Sequence, residues 1–190
     1  MPNWANVSYY VEGDRIEELC NDIDRIEEVK GDVDSTWYGC WLGSLLEING
    51  IDSDNIRCRG GITDYGLDTD KKFLRINCEC AWGEMDEWRH KMEEIYDAYF
   101  YYCVVEPGMS IYRHNDPDGK YFKLKYHVDI SDWDIYEDVE TVDDIAELLV
   151  PAGYQIDMNT DLEHITKWLE EKVEAKELDC YCIEPYDIEH

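Results

Sequence analysis

Residues 6–28 read NVSYYVEGDRIEELCNDIDRIEE, and this stretch decides the fold because it joins one strand to one amphipathic helix. Val7, Tyr9 and Val11 occupy every second position, which is the period of a strand with one buried face. After a turn at Gly13, apolar residues recur at helical spacing, at Ile16, Leu19, Cys20, Ile23 and Ile26. We therefore expect a strand–helix unit that packs against a larger sheet.

Strands and helices continue to alternate along the chain. Residues 73–82 have the strand period, residues 84–97 have the helical period, and residues 99–105 form the continuous apolar run of a central strand. Residues 109–113 and 121–130 flank a turn that is rich in Asn, Asp and Gly. This pattern predicts a hairpin.

Two helices and a final strand are predicted in the last third of the chain. Residues 142–150 form a short helical pattern that Pro151 stops, and the capping box Thr160-x-x-Glu163 opens a second helix. Residues 180–184 then return as a strand. The pattern as a whole predicts an α+β sandwich with helices packed on one sheet.

Residues 31–70 interrupt this order between the first helix and the second strand. The first half of 31–70 is rich in aromatic residues and predicts a short helix. The Gly- and Asp-rich residues 52–70 predict a loop that holds at most a short strand. We interpret 31–70 as an insertion that caps the core, with a ligand lid as the alternative. The length of 190 residues favours a single domain over residues 1–190.

Charge is the most unusual property of the composition. The chain has 46 Asp and Glu against 17 Lys and Arg, a net charge of −29, whereas a small domain needs only about 2–8 for solubility. Such a charge works against direct binding to nucleic acids and anionic membranes, because both require cationic patches. An aromatic content of 13% favours an ordered core over a disordered chain.

The acidic residues are concentrated in an acidic segment, residues 129–163. Tyr126 to Thr166 contains no Lys or Arg, against twelve Asp and Glu. Carboxylates held about 5–7 Å apart on helices or strands can occupy a basic groove in place of a phosphate backbone. We expect the partner-binding acidic surface to consist of Asp129, Asp132, Asp134, Glu137, Asp138, Glu140, Asp143, Asp144 and Glu147, together with Glu17, Glu18, Asp22 and Glu28 of the first helix.

Cysteine spacing gives a weak pattern for a metal site. Cys78-x-Cys80 and Cys180-x-Cys182 each place two thiols on one face of a strand, so two adjacent strands would bring four together. Zinc sites usually use Cys-x₂-Cys turns instead, and cysteine packs well as a small buried hydrophobe. We expect core packing, with zinc as the alternative, and no cofactor is predicted.

Catalytic patterns are also weak. His114 stands beside Arg113 and Asp116, but no nucleophile or positioned partner accompanies them. We expect a solvated turn here and no catalytic residue.

The N-terminus carries a family resemblance in Met1-Pro2-Asn3-Trp4-Ala5-Asn6. It resembles the start of the phage and plasmid YubB-like, or Api-like, proteins, although Ala5 stands where that family usually has Cys. Trp82 and Trp88, followed by Glu106-Pro107-Gly108-Met109, look like a later segment of the same family. The resemblance implies a ferredoxin-like domain with a mostly antiparallel sheet and a mobile-element origin, but no catalytic residue.

Together these features favour a non-enzymatic acidic protein that binds a basic, nucleic-acid-binding host protein. An anti-restriction or anti-CRISPR inhibitor that mimics DNA is the specific form of this hypothesis. One alternative is a small-molecule-binding or catalytic domain with a cleft between sheet and insertion, lined by Trp37, Trp41 and Tyr65. The other alternative is an acidic structural or interaction domain.

The N-terminal residues do not show a basic region followed by an apolar stretch, so no signal peptide is expected. The longest apolar run, residues 99–105, is shorter than the roughly 20 residues that span a bilayer. We expect a cytoplasmic protein of a bacterial host cell with reduced thiols.

Overall fold

The structure, a computed structural model, describes residues 3–28, 40–158 and 160–190. The described residues form two compact units. The first unit ends at Asn115 and also includes Glu189–His190, and the second is Asp116–Ile188. The length of the chain favours a single domain. The structure differs from this expectation, because each of the two units has a hydrophobic cluster of its own. The expected α+β class with mostly antiparallel pairing is confirmed.

The first unit is a sheet with helices on its core face. Strands follow the order β6-β5-β1-β4-β3-β2, with antiparallel neighbours. Its elements are β1 (Trp4–Gly13), α1 (Ile16–Glu28), β2 (Cys40–Trp41), α2 (Leu42–Ile48), β3 (Gly60–Leu67), β4 (Leu74–Ala81), α3 (Asp86–Tyr96), β5 (Ala98–Glu106) and β6 (Ile111–His114).

The opening strand lies at the centre of this sheet, between β5 and β4, and its predicted buried face is confirmed. Tyr9 faces Ile76 of β4 on one side and Tyr102 of β5 on the other. Val7, Tyr9 and Val11 are buried against the apolar side of α1, because alternate residues of a strand share one face. The indole N–H of Trp88 in α3 donates to the carbonyl of Leu42 at 2.9 Å, which ties α3 to α2.

Within residues 52–70, β3 is a strand of 8 residues, longer than the short strand that the sequence allows in the predicted loop. This strand pairs with β4 from Gly60↔Cys80 to Leu67↔Leu74, with an irregularity after Ile62. Gly60 is required, since a Cβ there would lie 2.7 Å from the sulfur of Cys80. The described part of the predicted insertion therefore contributes β2 and β3 to the main sheet.

The second unit contains a smaller sheet of order β8-β7-β9, packed against two helices. Its elements are β7 (Tyr126–Ile130), β8 (Ile135–Val139), α4 (Val142–Leu149), α5 (Leu162–Glu174), β9 (Cys182–Pro185) and β10 (Asp187–Ile188). Val128, Ile145, Leu149, Ile165 and Leu169 are fully buried in its core. The short helix predicted at 142–150 is confirmed as α4.

Two predictions for this region are wrong. The predicted hairpin does not form, because β6 pairs with β5 whereas β7 pairs with β8 and β9. The cap of α5 is Asp161, whose carboxylate accepts the backbone N–H of His164 at 2.8 Å, and not Thr160. Among the helices of the described residues, none combines the length and the apolar character needed to cross a bilayer.

Candidate functional site

Four of the carboxylates predicted for partner binding have structural roles in the second unit. Asp132 accepts the backbone N–H of Asp179 at 2.7 Å, and Asp138 lies 2.8 Å from Nδ1 of His127. Asp129 accepts the hydroxyl of Ser131 at 3.0 Å. Asp144 forms a capping box with Thr141 at the start of α4, and these hydrogen bonds lower the pKa of Asp144.

The five other carboxylates predicted for partner binding in this unit have no such role among the described residues. Asp134, Glu137, Glu140, Asp143 and Glu147 are exposed, and none pairs with a cation within the described residues. We call Glu137 of β8, Glu140 of the connection to α4, and Asp143 and Glu147 of α4 the β8–α4 acidic surface. Asp143 and Glu147 are four residues apart on α4, a spacing at which like charges destabilise a helix by about 0.2–0.5 kcal/mol.

A cleft of about 610 Å³ lies beside this surface, entirely within the second unit. Glu140 and Glu147 line it together with Asp138 and Asp144. The rest of the lining is mainly apolar, with Leu124, Val139, Leu148 and Pro151, and among the described residues Lys123 adds a cation. The cleft thus combines apolar contact area with carboxylates, as a cationic amphipathic segment would require.

The α1 carboxylates belong to the first unit, and most are already paired. Glu17 forms an ion pair with Lys71 at 2.6 Å, and Glu18 forms one with Arg15 at 2.6 Å. The expectation that Asp22 contributes to an exposed surface is wrong: Asp22 is buried and accepts the hydroxyl of Tyr96 at 2.9 Å. Glu28 is exposed.

The four cysteines of the zinc alternative do not share a sheet. Cys78 and Cys80 are buried on β4, in the core of the first unit, and burial raises the pKa of Cys78. Cys182 lies on β9 of the smaller sheet, and Cys180 is exposed before that strand. Over residues 3–28, 40–158 and 160–190, the structure has no cluster of three or more His, Cys, Asp or Glu that could hold a metal ion.

The expectation of a solvated turn around His114 is wrong. His114, Asn115 and Asp116 are all buried. Asn115 accepts the backbone N–H of Tyr102 at 2.6 Å within the first unit. Asp116 begins the second unit, where it accepts the backbone N–H groups of Lys120, Tyr121 and Phe122. The side chains of Asn115 and Asp116 thus satisfy backbone donors instead of facing water.

Of the three residues that line the aromatic cleft of the small-molecule alternative, the structure describes two, Trp41 and Tyr65. Trp37 lies outside the described residues. The Tyr65 hydroxyl donates to Asp24 and Glu27 of α1 at 2.6 and 2.8 Å, which ties β3 to that helix. The ring of Trp41 covers Gly43, where a Cβ would approach it within 2.4 Å. Both residues have clear packing roles.

A polar cavity of about 340 Å³ in the first unit was not predicted from the sequence. It lies where the β4–α3 connection, β5 and β6 meet, and its lining includes Trp82, Glu84, Arg89, Tyr102, Arg113 and Glu189. The residues come from separate parts of the chain, and no spacing motif joins them.

Glu84 and Arg89 form the centre of this cavity wall. Nε of Arg89 donates to Glu84 at 3.1 Å, and Nη1 donates to Glu93 at 3.4 Å. Glu84 also accepts the hydroxyl of Tyr9 at 3.0 Å, and burial raises the pKa of Glu84. The Arg89 guanidinium lies 5.1 Å from the ring centre of Tyr102. The wall therefore presents fixed donors and acceptors at the edge of the core.

Tyr102 connects this wall to the end of the chain. Burial raises the pKa of Tyr102, and its hydrogen bond with Glu189 raises it further. Glu189 also pairs with Arg113 at 3.5 Å. Neither Tyr9 nor Tyr102 is activated as a nucleophile. Their protonated hydroxyls and the paired charges therefore suit recognition of a polar ligand better than nucleophilic chemistry.

Comparisons with models of protein families, with curated proteins and with solved structures found no match for this chain.

Proposed function

We propose that this chain is a non-enzymatic acidic protein that binds a basic protein through the β8–α4 acidic surface. The observation that carries the proposal is that Glu137, Glu140, Asp143 and Glu147 are exposed and lack cationic partners among the described residues. Asp143 and Glu147 do not stabilise each other, since like charges four residues apart weaken a helix.

The neighbouring cleft adds contact area to this charge. Electrostatic attraction mainly speeds encounter and selects the partner, whereas affinity also needs desolvated contacts. Leu148 and Pro151 offer apolar area beside Glu147. A partner segment with Lys or Arg flanking apolar side chains fits both properties.

The specific form of the proposal is a mobile-element inhibitor that acts in the cytoplasm of a bacterial host. Its partner is a nucleic-acid-binding protein, whose phosphate-binding groups the carboxylates occupy as a DNA mimic. The net charge of −29 supports this form, and so does the resemblance of residues 1–6 to phage and plasmid proteins.

We further propose that the first unit has a ferredoxin-like core, as that resemblance implies. The support is that β1, α1, β3, β4, α3 and β5 follow the β-α-β-β-α-β order of that topology, with β2 and α2 inserted after α1. The strand order β5-β1-β4-β3 within the sheet agrees with it.

A capture experiment from bacterial lysate tests the function. The immobilised full chain is expected to retain a basic protein at about 50 mM salt and to lose most of it at about 500 mM, where screening is stronger. Double-stranded DNA added as competitor is expected to release that protein if the DNA-mimic form is right. Recovery of no basic protein at low salt would contradict the proposal, and insensitivity to DNA would contradict only its specific form.

A further inference from the structure

Trp82 has an unusual backbone conformation at the edge of the polar cavity. Its φ is +72°, a region that bulky L-residues rarely adopt. The backbone N–H of Trp82 donates to the carbonyl of Asn3 at 2.9 Å, which helps to hold this conformation. The side chain nevertheless remains 47% exposed while it lines the cavity. Strained residues of this kind are concentrated at ligand sites, and an exposed indole offers a stacking surface.

Arg89 supplies directed hydrogen-bond donors to the same cavity. A guanidinium has five N–H donors, and Arg89 uses its Nε and Nη1 atoms on Glu84 and Glu93. Nη2 takes part in neither ion pair. The ion pairs and the Tyr102 ring fix the plane of the guanidinium, so its remaining donors point in defined directions.

The charges of the lining cancel, which limits the class of ligand. Arg89 is balanced by Glu84, and Arg113 is balanced by Glu189. Arg57 and Asp86 add one further charge of each sign. With a whole-chain charge of −29, the surroundings disfavour a phosphate or another anion. The hydrogen-bond donors and acceptors that lie side by side in the lining instead favour binding of an uncharged polar molecule.

We propose that this cavity binds a planar, uncharged heterocycle of the nucleobase class, as the free base or the nucleoside. Trp82 stacks on the ring, because every base offers a π-face to an aromatic side chain. Arg89 donates to a ring carbonyl or ring nitrogen, the pairing that arginine makes with guanine. Asp86 accepts from an amino or ring N–H group. The volume of about 340 Å³ falls within the range of about 300–1,000 Å³ typical of small-molecule sites.

Calorimetric titration of the full chain with guanosine, adenosine, cytidine and uridine, each alone, tests the site. At least one nucleoside is expected to bind, and Trp82→Leu is expected to weaken that binding by about tenfold or more. Trp41→Leu is the matched control, since Trp41 is a partly exposed tryptophan of the same unit that does not line the cavity. Binding of no nucleoside at millimolar concentration, or equal binding by Trp82→Leu, overturns the proposal.

Two further variants test the polar contacts. Arg89→Lys keeps a positive charge beside Glu84 but removes the planar set of donors, and Asp86→Asn changes an exposed acceptor without disturbing the core. Both are expected to weaken binding of the same nucleoside while far-ultraviolet circular dichroism stays unchanged. The 5′-monophosphate of that nucleoside is expected to bind more weakly than the nucleoside. Tighter binding of the monophosphate overturns the assignment to an uncharged ligand.

Discussion

Glu137 and Asp138 are sequence neighbours on β8 with different roles. Asp138 lies 2.8 Å from the buried His127 ring, whereas Glu137 is exposed and has no cationic partner among the described residues. Successive strand residues point to opposite faces, so one position separates a structural carboxylate from one available for binding. The sequence places both in one acidic run and does not distinguish them.

A second carboxylate with a local role produces a prediction about pH. The His164 ring lies 2.7 Å from Asp161, and this hydrogen bond raises the pKa of His164. Protonated His164 therefore stabilises the folded state fully below its ordinary pKa of about 6.5, and the stabilisation is lost as the pH rises through the folded pKa. We expect Asp161→Asn to lower the pKa of His164 in an NMR titration, while Asn still caps the helix.

The control for this titration is Glu170→Gln, which removes a charge elsewhere on α5. It is expected to leave the pKa of His164 nearly unchanged. Equal pKa values for His164 in the wild-type chain and in Asp161→Asn would contradict the assigned hydrogen bond.

At the scale of elements, α5 ends in a motif that normally uses glycine. Glu177 N–H donates to the carbonyl of Lys172, and Lys176 N–H donates to that of Val173, each at 3.0 Å. This is a Schellman motif, and Lys176 occupies its left-handed position with φ of +59°. We expect Lys176→Gly to raise the free energy of unfolding by about 1 kcal/mol in urea titration, because glycine adopts this conformation without strain.

The matched control is Lys167→Gly, the same substitution inside α5. It is expected to lower the free energy of unfolding by about 1 kcal/mol, since glycine is unfavourable in a helix interior. A loss of stability in both variants would show that the left-handed conformation of Lys176 is not strained.

The start of α4 depends on a cap formed by Thr141. The Thr141 hydroxyl accepts the backbone N–H of Asp144 at 3.1 Å. We expect Thr141→Ala to lower the free energy of unfolding by about 1 kcal/mol. Thr141→Ser, which keeps the hydroxyl, is expected to retain most of the stability that the cap contributes. Equal losses in the free energy of unfolding for both variants would contradict a capping role.

Strands with a clear apolar pattern could be predicted from the sequence. A strand that forms only because it pairs with a neighbouring strand could not. β1, β4 and β5 follow from alternating or continuous apolar residues, which pairing across the sheet then uses. β3 contains three glycines and an aspartate, so only its pairing with β4 makes it a strand. The predicted hairpin failed because a turn-like composition also marks the boundary at Asn115 between the two units.

At the scale of the molecule, the position of the acidic charge could be predicted from the sequence, whereas the polar cavity could not. The acidic segment is contiguous, so its position in the second unit follows directly from residue order. The cavity brings together Trp82, Tyr102 and Arg113 from three parts of the first unit. Only the pairing of β5 with β6 brings Arg113 into its wall.

The direct test of the central proposal compares two variants that remove equal charge from the second unit. One neutralises the β8–α4 acidic surface, with Glu137→Gln, Glu140→Gln, Asp143→Asn and Glu147→Gln. The other neutralises four exposed carboxylates of α5, with Glu163→Gln, Glu170→Gln, Glu171→Gln and Glu174→Gln.

The measurement is the amount of basic protein captured from bacterial lysate at about 50 mM salt, where exposed charges are screened weakly. We expect the wild-type chain and the α5 variant to capture it and the β8–α4 variant to lose it. Equal capture by the two variants would contradict a binding role for the β8–α4 acidic surface.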